Sequence, residues 1–136
     1  FFDLRQQVTL YPHVKDFLSA ASTRLPLGIL TNGNADIKKI GIDKFFKCHF
    51  TSLDVKSNKP SSKHFKKAVE FFSVLPEEIL HVGDDKIADI NGCMRAGLNP
   101  LWFNNKSNEW DLDLEEPPQI SSWKNALEYI EQNYEF

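Results

Sequence analysis

Several absences narrow this 136-residue chain before any motif does. It has no basic excess: 16 Lys and Arg stand against 19 Asp and Glu, a formal net charge of -3. There is no positive field to hold a polyanion, which argues against nucleic acid as the main partner. No apolar run approaches the ~20 residues that a membrane-spanning helix needs, and no signal-peptide pattern is seen, so no membrane role is expected. Cysteine is scarce. Cys48 and Cys93 lie in apolar segments, form no CxxC, and read as reduced, buried thiols of a cytoplasmic protein. No GxGxxG follows an apolar run, which argues against a dinucleotide-binding domain. Internal repeats and low-complexity tracts are also missing.

What the chain does have is an ordinary globular balance, 41% hydrophobic and 26% charged, enough for one domain with a real core. Eleven Phe point to aromatic packing. Pro12 suits an early helix position, and Val14, Phe17, Leu18 and Ala21 fall on one helical face. Pro26 to Thr31 reads as a short buried strand. Asn32-Gly33-Asn34 has turn chemistry. A short helix is expected from Ala35 to Ile40, with Gly41 as its C-cap. Lys47 to Ser52 predicts a second strand, and Asp54 to Pro60 a polar loop.

Ser61 or Ser62 can cap a helix in which Phe65, Ala68, Val69 and Phe72 repeat at helical spacing. Ile79 to Gly83 predicts a strand, and Ile87 to Ala96 a helix closed by Gly97. Leu98 to Phe103 reads as a further strand, Asn104 to Pro118 as a loop, and Gln119 to Ser121 as a short edge strand. Trp123, Leu127 and Ile130 mark a last amphipathic helix. Short apolar strands alternating with helices predict an α/β fold with a parallel sheet.

The chemistry gathers at predicted strand ends. Ile79-Leu80-His81-Val82-Gly83 runs into Asp84 and Asp85, with Asp89 about one helical turn further on. Clustered acids repel one another unless something offsets them. Mg2+ is a natural offset, because it takes carboxylate oxygens and keeps several waters. An acidic turn feeding a helix N-terminus is the plainer alternative. In parallel sheets, functional loops lie beyond the carboxyl ends of the strands. Thr31-Asn32, Lys59 and Asp84-Asp85 each sit in such a loop. A hydroxyl, a cation and paired acids converging on one edge suit phosphate chemistry.

These residues together resemble the haloacid dehalogenase superfamily. The matching stretches are Leu27-Gly28-Ile29-Leu30-Thr31-Asn32-Gly33-Asn34, then Lys59-Pro60, then His81-Val82-Gly83-Asp84-Asp85 with Asp89. Gly92, Ala96-Gly97, Pro100 to Asn104 and the Gln119-Ile120-Ser121-Ser122 piece also fit, from about Val8 onward. In detail the chain looks most like bacterial phosphatases acting on flavin mononucleotide or a phosphorylated riboflavin precursor.

The resemblance implies a Rossmann-like parallel sheet flanked by helices, and a Mg2+-dependent phosphomonoester hydrolase acting on a small phosphate ester through an aspartyl-phosphate. Thr31 would bind the phosphoryl group, helped by backbone N–H groups near Asn32 and Gly33. Lys59 would offset negative charge. Asp84 would be a Mg2+ ligand, and Asp85 or Asp89 would support the metal or orient Lys59.

One departure is large. The family's nucleophile is an aspartate in an apolar-then-Asp-x-Asp pattern near the N-terminus. Phe1-Phe2-Asp3-Leu4-Arg5 mimics it only superficially, since Asp3 has too few residues before it for a buried strand, and Arg5 cannot exchange a proton. The expectation is that residues 1–7 are the exit segment of a cap domain, and 8–136 a partial core lacking the central strand. Two alternatives stand beside the hydrolase: an interaction domain without catalysis, and a phosphate-accepting receiver domain. The receiver is disfavoured because the acidic pair here comes last in the chain rather than first.

Overall fold

The computed structural model describes residues 12–32 and 41–134. The readings at Asp3, at the cap exit, at Gly33 and for a helix over 35–40 lie outside the described residues. α1 is Val14–Ser22, with Val14, Leu18 and Ala21 buried on the predicted face. Pro12 lies just ahead of it, in a turn with His13. β1 (Gly28–Leu30) pairs in parallel with β2 (Cys48–Phe50), Ile29 opposite His49. α2 (Ser52–Val55) follows, then α3 (Lys63–Phe72) and β3 (Leu80–Gly83). A π-helical turn over Lys86–Asn91 runs into α4 (Gly92–Arg95). β4 is Asn99–Phe103, β5 Gln119–Ile120 and α5 Ala126–Asn133.

All strand pairings are parallel, as the alternation of strands and helices requires. They fall into two sheets, β1-β2 and β3-β4-β5, with β5 at the predicted edge. Among the described residues no strand joins β1 to β3. A cavity of about 560 Å³ lies against both, lined by Gly28, Ile29 and Leu30 on one side and Leu80, His81 and Val82 on the other.

The apolar side chains divide as a doubly covered sheet demands. One cluster joins Val14 and Leu18 of α1 and Ala126 and Ile130 of α5 to Ile29, Val82, Leu101 and Phe103. The other joins Phe65 and Ala68 of α3 and Cys93 of α4 to Leu30 and Leu98. Trp123 stacks on Phe103 at 5.1 Å and tilts against Phe17 at 4.9 Å. Burying a large side chain such as Trp123 or Phe103 contributes about 1.5–3 kcal/mol, and the half-buried Phe17 less. Both described cysteines are free thiols, Cys93 buried and Cys48 half-buried, and burial pushes their pKa values up to about 12 and about 11.

Three local expectations need correction. The loop predicted over 54–60 begins with a helix, because Thr51 and Asp54 form a capping box: Thr51 Oγ1 accepts from Asp54 N–H, and Asp54 Oδ2 accepts from Thr51 N–H. The helix predicted from Ile87 starts at Lys86 as a wider turn, in which Ile90 N–H reaches back to the Asp85 carbonyl. Of the two serines expected to cap α3, Ser62 occupies the cap position without a side-chain capping bond, and it is Ser61 Oγ that accepts from the Lys63 N–H, at 3.4 Å. Among the described residues no helix is long and apolar enough to cross a membrane.

Candidate functional site

Three loops beyond the ends of β1, β2 and β3 meet at one buried charge. The Lys59 ammonium is about 1% exposed and bonds the Asp89 Oδ1, itself about 1% exposed. Lys59 Nζ also donates to the Leu30 carbonyl at 3.2 Å, which ties it to the last residue of β1. Asp89 uses its whole carboxylate. Oδ1 takes Lys59 and lies 3.4 Å from His81 Nε2, and Oδ2 accepts from the Asp85 N–H at 3.2 Å.

Such a pair survives burial only because every charge has a partner. Burial acts to raise the Asp89 carboxyl, but the His81 hydrogen bond and the Lys59 charge outweigh it and hold the group well below the usual carboxylate range. Burial lowers the Lys59 ammonium from its ordinary value, and Asp89 first, then Asp84 and Asp85, oppose that shift. Burial pushes His81 down to about 4, so near neutral pH its ring is uncharged and Nε2–H donates to Asp89.

Backbone geometry makes room for this arrangement. A Cβ on Gly83 would sit 2.4 Å from the Asp89 Cβ, so only glycine at the end of β3 lets the carboxylate close over it. Asp85 caps the turn that delivers Asp89, its Oδ1 accepting from the Ile87 and Ala88 N–H groups at 2.9 Å. Asp84 is half-buried, and its carbonyl accepts from Trp102 Nε1 at 3.1 Å, which anchors the loop to β4.

The Thr31-Asn32 loop is fixed to the Lys59 loop by a reciprocal pair. Asn32 Oδ1 accepts from Lys59 N–H at 2.6 Å, and Asn32 Nδ2 donates to the Lys59 carbonyl at 3.2 Å. Ser52 Oγ, at the start of α2, is within hydrogen-bond reach of the Asn32 carbonyl and of Asn58 Oδ1. Thr31 is buried, its Oγ1 lying 3.4 Å from His49 Nε2.

Thr31, Asn32, Lys59, Asp84, Asp85 and Asp89 thus come from loops that the structure brings together, while Gly33 lies outside the described residues. Their roles differ. Asp89 is buried against Lys59, Asp85 faces solvent as a cap, and Asp84 stands between them in exposure. Among the described residues no three His, Cys, Asp or Glu side chains cluster as a ready metal site. Sequence reasoning missed His81 and His64 as parts of the assembly. A histidine inside an apolar strand, or on the core face of a helix, was the available signal.

The sign of the His81 shift gives a testable pH dependence. Its folded pKa of about 4 lies below its ordinary 6.5, so between those values the unfolded chain binds more protons. Folding stability is therefore expected to fall as pH drops from 6.5 towards 4, by roughly 3 kcal/mol at most. Asp89 adds to the loss at lower pH still, as its depressed carboxyl is protonated. Urea unfolding between pH 7 and 4.5 reads this limb, and His81→Gln should flatten it. A level profile in the native protein would contradict the assignment.

The comparisons with known proteins agree with this architecture. Residues 2–103 match the model of the haloacid dehalogenase-like hydrolases. A phosphoserine phosphatase of Thermus thermophilus is 35% identical over 110 residues, covering 76% of this chain and 44% of the relative. The 5-amino-6-(5-phospho-D-ribitylamino)uracil phosphatase YigB of Escherichia coli is 30% identical over 118 residues, covering 84% and 50%. The crystal structure of a 2-haloacid dehalogenase from Pseudomonas syringae superposes with a TM-score of 0.88 at 29% identity, over 93% of this chain and 55% of that one. The chain spans about half the length of these relatives. With three-quarters of its length inside the family model, and Lys59, Asp84 and Asp89 gathered at the carboxyl ends of parallel strands, the chain belongs to the haloacid dehalogenase-like hydrolase family.

Proposed function

We propose that this chain forms the core of a cytoplasmic phosphomonoester hydrolase acting on a small phosphorylated metabolite. The observation that carries this reading is the Lys59 ammonium, held by Asp89 at the junction of the Thr31, Lys59 and Asp84 loops. A fixed cation beside a hydroxyl-bearing loop suits a group that carries two negative charges. In this reading the Thr31 hydroxyl and the Asn32 N–H hold phosphoryl oxygens. Lys59 balances the charge that gathers when an aspartate attacks phosphorus and an alcohol leaves. Water then hydrolyses the aspartyl-phosphate.

In this reading the nucleophile is an aspartate on a strand that would seat between β1 and β3, outside the described residues. The chain's one Asp-x-Asp, Asp111-Leu112-Asp113, lies in an exposed loop, where Asp111 pairs with Lys86 at 2.7 Å.

The donor chemistry fits Mg2+. That ion takes one or two carboxylates and completes its shell with water and substrate phosphate, so the half-buried Asp84 suffices as this chain's main ligand. Asp85 supports the loop as a helix cap. When bound, Mg2+ would supply charge neutralisation and orientation of the phosphoryl group.

The relatives acting on phosphoserine and on a phosphorylated ribitylaminouracil favour a small metabolite, and the latter supports a flavin-related substrate. The similarity to a 2-haloacid dehalogenase favours a second reading, displacement of halide by the same kind of aspartate. Assay of the full-length protein separates the two. We expect Mg2+-dependent phosphate release from p-nitrophenyl phosphate and from a panel of small phosphate esters, and no halide from 2-chloropropionate. Halide release without phosphate release would reverse the assignment.

A further inference from the structure

His64 has no role in the reading above, yet it is fully buried beside it. It is the second residue of α3 and shares the core face with Phe65 and Ala68. An imidazole in such a place is costly unless its polar atoms are bonded. Its Nε2 lies 2.8 Å from the Thr31 carbonyl oxygen. A carbonyl only accepts, so Nε2 carries the proton and Nδ1 does not. Nδ1 is buried and has no hydrogen-bond partner among the described residues. Burial also lowers the His64 pKa, which keeps the ring neutral in this tautomer.

The Thr31 peptides are therefore held on both sides. The Thr31 N–H donates to Phe50 O at 3.0 Å, extending the β1–β2 ladder by one residue. The Thr31 carbonyl is held on His64. The only cis peptide bond among the described residues is Lys59–Pro60, so the Thr31–Asn32 bond is trans. A trans peptide points its carbonyl and the following N–H in opposite directions. The His64 bond thus turns the Asn32 N–H away from α3. Without that donor the peptide is free to rotate, and a rotated peptide would present its carbonyl oxygen to an anion, which repels.

We propose that His64 is a positioning residue: its Nε2–H clamps the Thr31 carbonyl and thereby aims the Asn32 N–H at the phosphoryl oxygens, an inference that takes the phosphate ligand from the function proposed above. The helix that follows Lys59 thus orients a donor in a different loop. His64 touches no substrate.

The test uses the full-length protein with His64→Leu, which keeps bulk but no donor, and His64→Gln, whose amide nitrogen stands near the Nε2 position. The probes are inorganic phosphate as ligand and p-nitrophenyl phosphate as substrate. In His64→Leu we expect the phosphate inhibition constant to rise at least about tenfold and kcat/KM to fall about a hundredfold, the scale of a misplaced donor. His64→Gln should recover most of both. Should the leucine variant fail to fold, His64→Asn, whose amide stops short, makes the same comparison. If all variants lower the melting temperature while the folded protein keeps its phosphate affinity, His64 is only a core residue and the proposal falls. A second readout is independent of turnover: phosphate should shift the Asn32 amide resonance in the native protein and fail to do so in His64→Leu. That pattern in a protein without phosphatase activity would overturn the proposed function and leave the His64 assignment standing. An Asn32 amide that ignores phosphate, or responds equally in His64→Leu, overturns the His64 assignment whatever the turnover.

Discussion

Lys59→Ala is expected to damage this protein twice. The first loss is in folding. The substitution strands the Asp89 carboxylate in a site about 1% exposed, and removal of one partner of a buried pair costs about 3–5 kcal/mol. The second loss is in catalysis. In the proposed hydrolase the site would gather an attacking aspartate, Asp84 and a substrate phosphate, more negative charge than one divalent cation neutralises. A fixed ammonium matters most as phosphoryl charge shifts, so kcat should fall more than KM rises. We expect at least about 2–4 kcal/mol of lost transition-state stabilisation, the scale of one preorganised electrostatic donor.

Lys59→Arg should rescue poorly. A planar fork does not fit a pocket shaped around one nitrogen, between the Leu30 carbonyl and Asp89. The paired change Lys59→Met with Asp89→Leu separates the two losses: it should recover part of the stability and none of the turnover. Urea unfolding and steady-state kinetics on these variants, with Lys56→Ala as an exposed control, read both. If Lys59→Ala behaves like Lys56→Ala, the convergence of the three loops has no functional meaning.

Asp84→Asn is expected to cut turnover by orders of magnitude while leaving the fold intact, since a metal that stabilises transferring charge is worth several kcal/mol. The amide keeps the shape of the side chain, and the Asp84 carbonyl still accepts from Trp102. Excess Mg2+ should restore part of the activity, which a structural lesion would not allow. Asp85→Asn should be mild. Asp85 is exposed and caps the following turn, and asparagine caps nearly as well. Asp85→Ala should cost about 1 kcal/mol of stability, the usual value of a lost cap. Kinetics at graded Mg2+ concentration rank the three changes. Equal losses for Asp84→Asn and Asp85→Asn would mean that the metal has been assigned to the wrong carboxylate.

Much of the architecture was legible because it follows from periodicity. Val14, Leu18 and Ala21 sit at helical spacing, and all three are buried in α1. Apolar runs ending in turn chemistry marked β1, β3 and β4 to within about two residues. The misses were local competitions. Thr51 and Asp54 form a reciprocal cap that a reading based on polarity takes for loop. At Asp85 the backbone takes a wider turn, at the point where Asp89 goes inward.

For the site, the sequence by itself determined which chemistry was present and in which loops. Thr31-Asn32, Lys59 and Asp84-Asp85 each follow a strand, and parallel strands bring their carboxyl ends to one edge. That conclusion needs only patterns along the chain. The allocation of partners was decided by tertiary structure alone. Nothing in the spacing of Asp84, Asp85 and Asp89 says which carboxylate is buried. That depends on Gly83 lacking a Cβ, which opens the space Asp89 enters, and on Lys59 arriving from 30 residues earlier to neutralise it. Nor does the sequence say what the two histidines bond, although their apolar settings mark them as buried. His64 and His81 are ordinary members of a helix and a strand until folding sets His64 against the Thr31 carbonyl and His81 against the Asp89 carboxylate. Hydrogen bonds and ion pairs act over about 3 Å, and long-range contacts at that distance are fixed by packing rather than by position in the chain.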